Sequence, residues 1–128
     1  MQNKTNLHIP DLKYNFHDAL LEKVEIGPRR EITLHITLYS IYYKGGPVVQ
    51  IRFGAITNFD SVKSFFEKIV NEECNGVRGY IRVDALQYDK RKESTAAKLF
   101  FYVALNCEGE INIHCGKLDV TDIVSDIA

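Results

Sequence analysis

Cysteine is scarce in this chain: Cys74, Cys107 and Cys115 are its only three, widely spaced. An odd, scattered set excludes a disulfide framework and offers none of the paired spacings of a zinc site, so reduced structural thiols are expected. Long apolar runs are also missing. The longest are short β-like segments such as Leu99 to Leu105, far below the roughly 20 residues of a membrane-spanning helix. No apolar stretch of a signal peptide's kind follows Met1, and a cytoplasmic protein without membrane attachment is expected. Excess charge of one sign is absent too, with 16 Lys and Arg against 17 Asp and Glu. That balance argues against nucleic acid as the main partner. Neither an internal repeat nor a low-complexity tract nor a linker divides residues 1–128, which therefore read as one domain.

What is present is ordinary globular composition, 45% hydrophobic and 26% charged. A chain of this length buries roughly 65–70% of its unfolded surface in a single core. Its clearest local signal is the alternation of Ile32, Leu34, Ile36 and Leu38 with Thr33, His35 and Thr37, the period of a half-buried strand. Val24 and Ile26 precede it on one parity, and a loop from Gly27 to Glu31 sets Ile26 opposite Ile32, Val24 opposite Leu34 and Lys23 opposite His35. Glu22 falls on the apolar parity, which predicts a bulge or turn there.

A third strand is expected from Val48, after the Gly45-Gly46-Pro47 turn. The period then changes: Phe59, Val62, Phe66, Ile69 and Val70 predict a helix through Glu73, with Thr57 or Asn58 as N-cap. Val77 to Ala85 reads as a fourth strand with Ile81, Val83 and Ala85 inward, followed by a solvated turn at Asp89 to Ser94. Leu99 to Leu105 and Ile111 to Cys115 form a last hairpin. A loop of Cys107, Glu108 and Gly109 would set Leu105 opposite Ile111, Val103 opposite Ile113 and Tyr102 opposite His114. Val120, Ile123, Val124 and Ile127 share a stripe that predicts a short C-terminal helix. The expected fold is α+β: a mostly antiparallel six-stranded sheet, β-β-β-α-β-β-β, with the main helix on one face.

The opposite face then collects polar and aromatic groups. His35, Arg52, Tyr80, Arg82, Tyr102 and His114 lie on it, and Tyr42 and Tyr43 occupy a hairpin tip. Two readings stand side by side. Half-exposed antiparallel sheets carry ordinary cross-strand pairs, whereas exposed aromatics with arginines are enriched at interfaces. A third possibility is a ligand concavity around Arg52, Arg82 and His35, suited to carboxylates or phosphates.

Catalytic chemistry finds little support. His17-Asp18 resembles an oriented imidazole, but adjacent residues rarely meet that way, and Asp18 is better read as capping the N–H groups of a turn at Ala19 to Leu21. No metal is expected, because His17, His35, Asp84, His114 and Cys115 show none of the metal-binding spacings. No serine stands in a glycine-flanked elbow, and the Gly45-Gly46-Pro47 turn lacks the lysine and helix of a phosphate loop. Arg78-Gly79-Tyr80 starts like an RNA-recognition signature, which Ile81 and Arg82 then break. No cofactor and no catalytic residue are assigned, and the expectation leans away from an enzyme.

Phe16-His17-Asp18-Ala19, the hairpin Val24 to Ile36 and the strand Val49 to Phe59 resemble the N-terminal half of small bacterial proteins grouped with polymorphic-toxin immunity proteins. Those proteins share a Phe-His-Asp-Ala opening, a hairpin and a strand ending in Arg-Phe. The resemblance implies a non-enzymatic bacterial protein that blocks a toxin by binding it, or a relative whose role is uncharacterised, and it transfers no functional residue. A protein partner is therefore expected, with a small-ligand site or enzyme and a homodimer as the alternatives.

Overall fold

A computed structural model describes residues 12, 14–74, 81–89, 98–106 and 108–123. Tyr80 and the rest of 75–80, residues 90–97 with most of the expected turn, Cys107 and residues 124–128 lie outside the described residues. Seven strands and one helix are present among those described: β1 Leu20–Gly27, β2 Glu31–Thr37, β3 Val48–Gly54, α1 Phe59–Cys74, β4 Ile81–Tyr88, β5 Leu99–Leu105, β6 Gly109–Cys115 and β7 Lys117–Ile123. All strand pairings are antiparallel, and the sheet runs β6-β5-β4-β1-β2-β3-β7. The α+β class and the order of elements are as expected. The strand count is not.

The seventh strand, Lys117–Ile123, takes residues 120–123, where the C-terminal helix Val120 to Ile127 was expected to begin. Leu118 and Val120 alternate with Asp119 and Thr121 as well as Val120 and Ile123 fit a helical stripe, so period alone did not decide. The ladder to β3 decided, with Phe53 opposite Leu118 and Ile51 opposite Val120.

The first hairpin follows the sequence closely. Ile26 pairs with Ile32, Val24 with Leu34 and Lys23 with His35, and the register shifts between Leu21 and Lys23, so that Glu22 is bulged out of the apolar row. Arg30 closes the turn in the left-handed region (φ 59°). The last hairpin differs by two residues: Leu105 pairs with Gly109, Val103 with Ile111 and Tyr102 with Asn112, leaving Phe100 opposite His114. Gly109, at φ 107°, takes a conformation that a side chain would strain. β4 also departs, because its register shifts between Val83 and Ala85. The parity flips there, so Val83 and Leu86 are both buried while Ala85 is only half-buried. β4 also runs on to Tyr88, past the expected end at Ala85, and Asp89, expected in a solvated turn, is 4% exposed with its N–H donating to the Phe100 carbonyl.

The sheet does not lie flat. β6 passes through the single residue Gly116 into β7, which stands at the opposite end of the strand order. The Phe53 and Phe101 rings, on β3 and β5, meet edge-on with centroids 5.4 Å apart. Four interstrand steps separate these strands, about 19 Å in a flat sheet. The sheet therefore curls until its ends meet, and the segment after β3 closes the seam. Gly116 N–H reaches the Gly54 and Ala55 carbonyls, and Thr57 N–H reaches that of His114. Asn58 adds a side-chain copy of a strand pairing, its Nδ2 donating to the Asn112 carbonyl at 2.8 Å and its Oδ1 accepting from His114 N–H at 2.9 Å. Asn58 thus stands just before α1 as expected, with its amide turned to β6. Inside the curl, Val62, Phe66 and Ile69 of α1 join Ile32, Leu34, Phe53, Phe101 and Ile113 in the core.

Candidate binding site

Curling divides the outside into two walls. On the wall β1-β2-β3-β7, the outward positions form ranks. Glu25, Thr33, Arg52 and Asp119 are successive cross-strand partners, and Lys23, His35, Gln50 and Thr121 form the next rank. Arg52 Nη2 donates to Asp119 Oδ2 at 3.0 Å. Glu25 Oε2 lies 3.2 Å from Lys23 Nζ and 3.1 Å from His35 Nε2. The hydrogen bond from Lys23, and after it the Lys23 charge and His35, hold the Glu25 carboxyl below its ordinary value. Glu22, released by the bulge, accepts from Thr37 Oγ1 at 3.0 Å. Between the ranks lies an open depression of about 210 Å³, lined by Glu25, Thr33, Gln50, Arg52, Asp119 and Thr121.

Of the residues expected around a concavity, only Arg52 lines this one. His35 stands in the adjoining rank, and Arg82 lies across the β1–β4 junction, 3.8 Å from Asp18 Oδ1. Asp18 is in the left-handed region (φ 66°) and donates its N–H to the Val83 carbonyl, tying the entrance turn to β4. Its expected cap has no turn to serve, because Leu20 and Leu21 already belong to β1. His17 Nε2 does come to 3.6 Å from Asp18 Oδ2, with Nδ1 3.3 Å from the Asp84 carbonyl.

The second wall, β4-β5-β6, carries aromatic and amide groups at its outward centre, with Arg82, Asp84 and Glu110 exposed around them. Tyr102 sits between Gln87 and Asn112, and Phe100 meets the His114 ring edge-on at 4.7 Å. Tyr102 and His114 are half-buried. Of the aromatic pair at the β2–β3 loop, Tyr42 is exposed, whereas Tyr43 turns inward. Its ring stands against Tyr14 at 5.6 Å and its hydroxyl accepts from Asn15 N–H at 2.8 Å. Tyr39 and Ile41 project instead, the latter 72% exposed. Sequence reasoning missed both, although the unalternating run Tyr39 to Tyr43 was the available sign. Four backbone bonds hold this loop: Leu38 to Pro47, Tyr42 and Tyr43 to Tyr39, and Gly46 to Tyr43.

Cys115 is a free thiol, fully buried, and burial pushes its pKa up to about 12. Among the described residues, no three His, Cys, Asp or Glu side chains cluster in a way that could hold a metal ion. His17, His35 and His114 lie with three different sets of neighbours. In comparisons with known proteins, no family model, no curated protein and no solved structure matches the chain.

Proposed function

We propose that this domain acts by binding another protein, with immunity-type inhibition of a toxin in a bacterial cytoplasm as the concrete form. The carrying observation is the loop after β2. Tyr39, Ile41 and Tyr42 are all exposed on a backbone pinned by its own hydrogen bonds and anchored through the inward Tyr43. Large apolar side chains held rigid in solvent make good anchors, since little conformational freedom is lost when a partner covers them.

The test is affinity capture from lysate of the source cells, using wild type and the variants Ile41→Asp and Tyr42→Ala. These positions are exposed, so the variants should melt within about 0.5 kcal/mol of wild type. One protein captured in stoichiometric amount by wild type and lost with both variants supports the reading. Capture that is indifferent to both variants, or an empty eluate from folded protein, overturns it. Light scattering checks the homodimer: a doubled mass that Ile41→Asp returns to monomer would make the partner a second copy.

A further inference from the structure

We propose that the depression on the outer wall β1-β2-β3-β7 is a binding site for a small, uncharged polyhydroxylated molecule, a monosaccharide or cyclic polyol. This inference is independent of the protein-binding loop. It starts from three neutral side chains. Thr33, Gln50 and Thr121 line the depression, and among the described residues their side chains have no hydrogen-bond partner. They come from three adjacent strands, so two hydroxyls and an amide, each both donor and acceptor, lie across a short width of sheet.

The charged groups at the flanks narrow the ligand class. Among the described residues, Arg52 is the only cation in the lining; it pairs with Asp119, and Glu25 is the second carboxylate there. An anion would compete with Asp119 for the guanidinium, and a cation would compete with Lys23 and His35 for Glu25. A neutral molecule disturbs neither pair. It can still use what they leave over, since a guanidinium has five N–H donors and a carboxylate about four acceptor positions. A neutral molecule rich in hydroxyls suits such a lining, because each hydroxyl can give one hydrogen and take another. The volume of about 210 Å³ lies below that of a site for drug-sized ligands and fits a single small ring. Among the described residues, no aromatic side chain lines the depression, so orientation rests on hydrogen bonds and a dissociation constant of order millimolar is expected.

The experiment is a titration of the isotope-labelled full chain, followed by amide chemical shifts. The probes are glucose, galactose, mannose, ribose and myo-inositol, with sodium phosphate and glycine as charged and zwitterionic comparators. Saturable shifts at Thr33, Gln50 and Thr121 with at least one polyol, and none with phosphate or glycine, are expected. Gln50→Ala and Thr33→Val should each weaken that response about five- to tenfold. Thermal melts check that both variants remain folded, and Thr121→Val stands in for either that does not. The proposal is overturned if no polyol produces a saturable shift up to about 100 mM, well above the expected constant. It is equally overturned if phosphate or glycine moves the same amides more strongly, or if folded variants respond like wild type.

Discussion

The two walls of the curled sheet are built to different rules. On β1-β2-β3-β7, the charged outward groups are held in ion pairs, Arg52–Asp119 across two strands and Glu25–Lys23 along one. On β4-β5-β6 the outward centre is aromatic and amide, with Phe100 against His114 and Tyr102 between Gln87 and Asn112, and charges such as Arg82, Asp84 and Glu110 stand around it. The first wall can change partners with pH and salt, because its contacts are ionic and exposed. The second depends on packing. Among the described residues, the strand pairing that joins the walls is confined to Leu20–Arg82 and Leu21–Ile81, with contacts from the entrance turn at His17, Asp18 and Ala19 beside it. Their unity must come from the shared core and from the seam.

Substitutions at those two places are the sharpest way to break that contrast. Phe53→Ala removes the ring that links β3 to Phe101 across the interior and should cost about 3–5 kcal/mol. Urea denaturation followed by far-ultraviolet dichroism and tyrosine fluorescence should still give one transition. Two separated transitions would show that the walls fold as independent units. Asn58→Ala removes both amide bonds of the seam and leaves Asn112 and His114 with unmet backbone groups, for about 1–3 kcal/mol. Amide exchange at His114 should accelerate while that in β1 and β2 stays nearly constant. Equal acceleration throughout would mean that the seam opens only with global unfolding.

The smallest effect tests the ionic character of the first wall. Glu25 titrates below its ordinary value of 4.5 in the folded chain, so its contribution is present above that pH and is lost as pH falls through the lower folded value. Wild type should therefore be slightly more stable than Glu25→Gln at about pH 6, and the difference should shrink and disappear as Glu25 is protonated at acid pH. A difference that persisted at acid pH would mean that packing, not charge, is what Glu25 supplies.

The first wall was also the more legible in the sequence. Alternation through Ile32 to Leu38 and the misplaced Glu22 revealed the hairpin, its register and its bulge, because a one-residue slip would have turned the core residues to solvent. A slip of two preserves every parity. That is why the β5–β6 pairing was misjudged by one step, Tyr102 meeting Asn112 instead of His114. The bulge after Val83 was hidden for a related reason: Ala85 and Leu86 are both apolar, so nothing in their types marks where the parity flips. Tyr42 and Tyr43 are chemically identical neighbours, and only Tyr14, far off in sequence, separates the exposed ring from the anchored one. The depression was legible in part, through the outward parity of Gln50 and Arg52. Its far side comes from β7, where a helix was expected.

The passage of β6 into β7 through Gly116 also sets an order of events in folding. β1-β2-β3 and β4-β5-β6 are each joined by local pairings and can form as soon as their own residues meet. Arg52 and Asp119 stand 67 residues apart in the chain, so pairing of β3 with β7 waits until both halves are formed and comes last. Closure then belongs after the rate-limiting barrier. Lesions in β7 should hasten unfolding far more than they slow refolding, which makes that strand the latch that governs how long the folded molecule lasts.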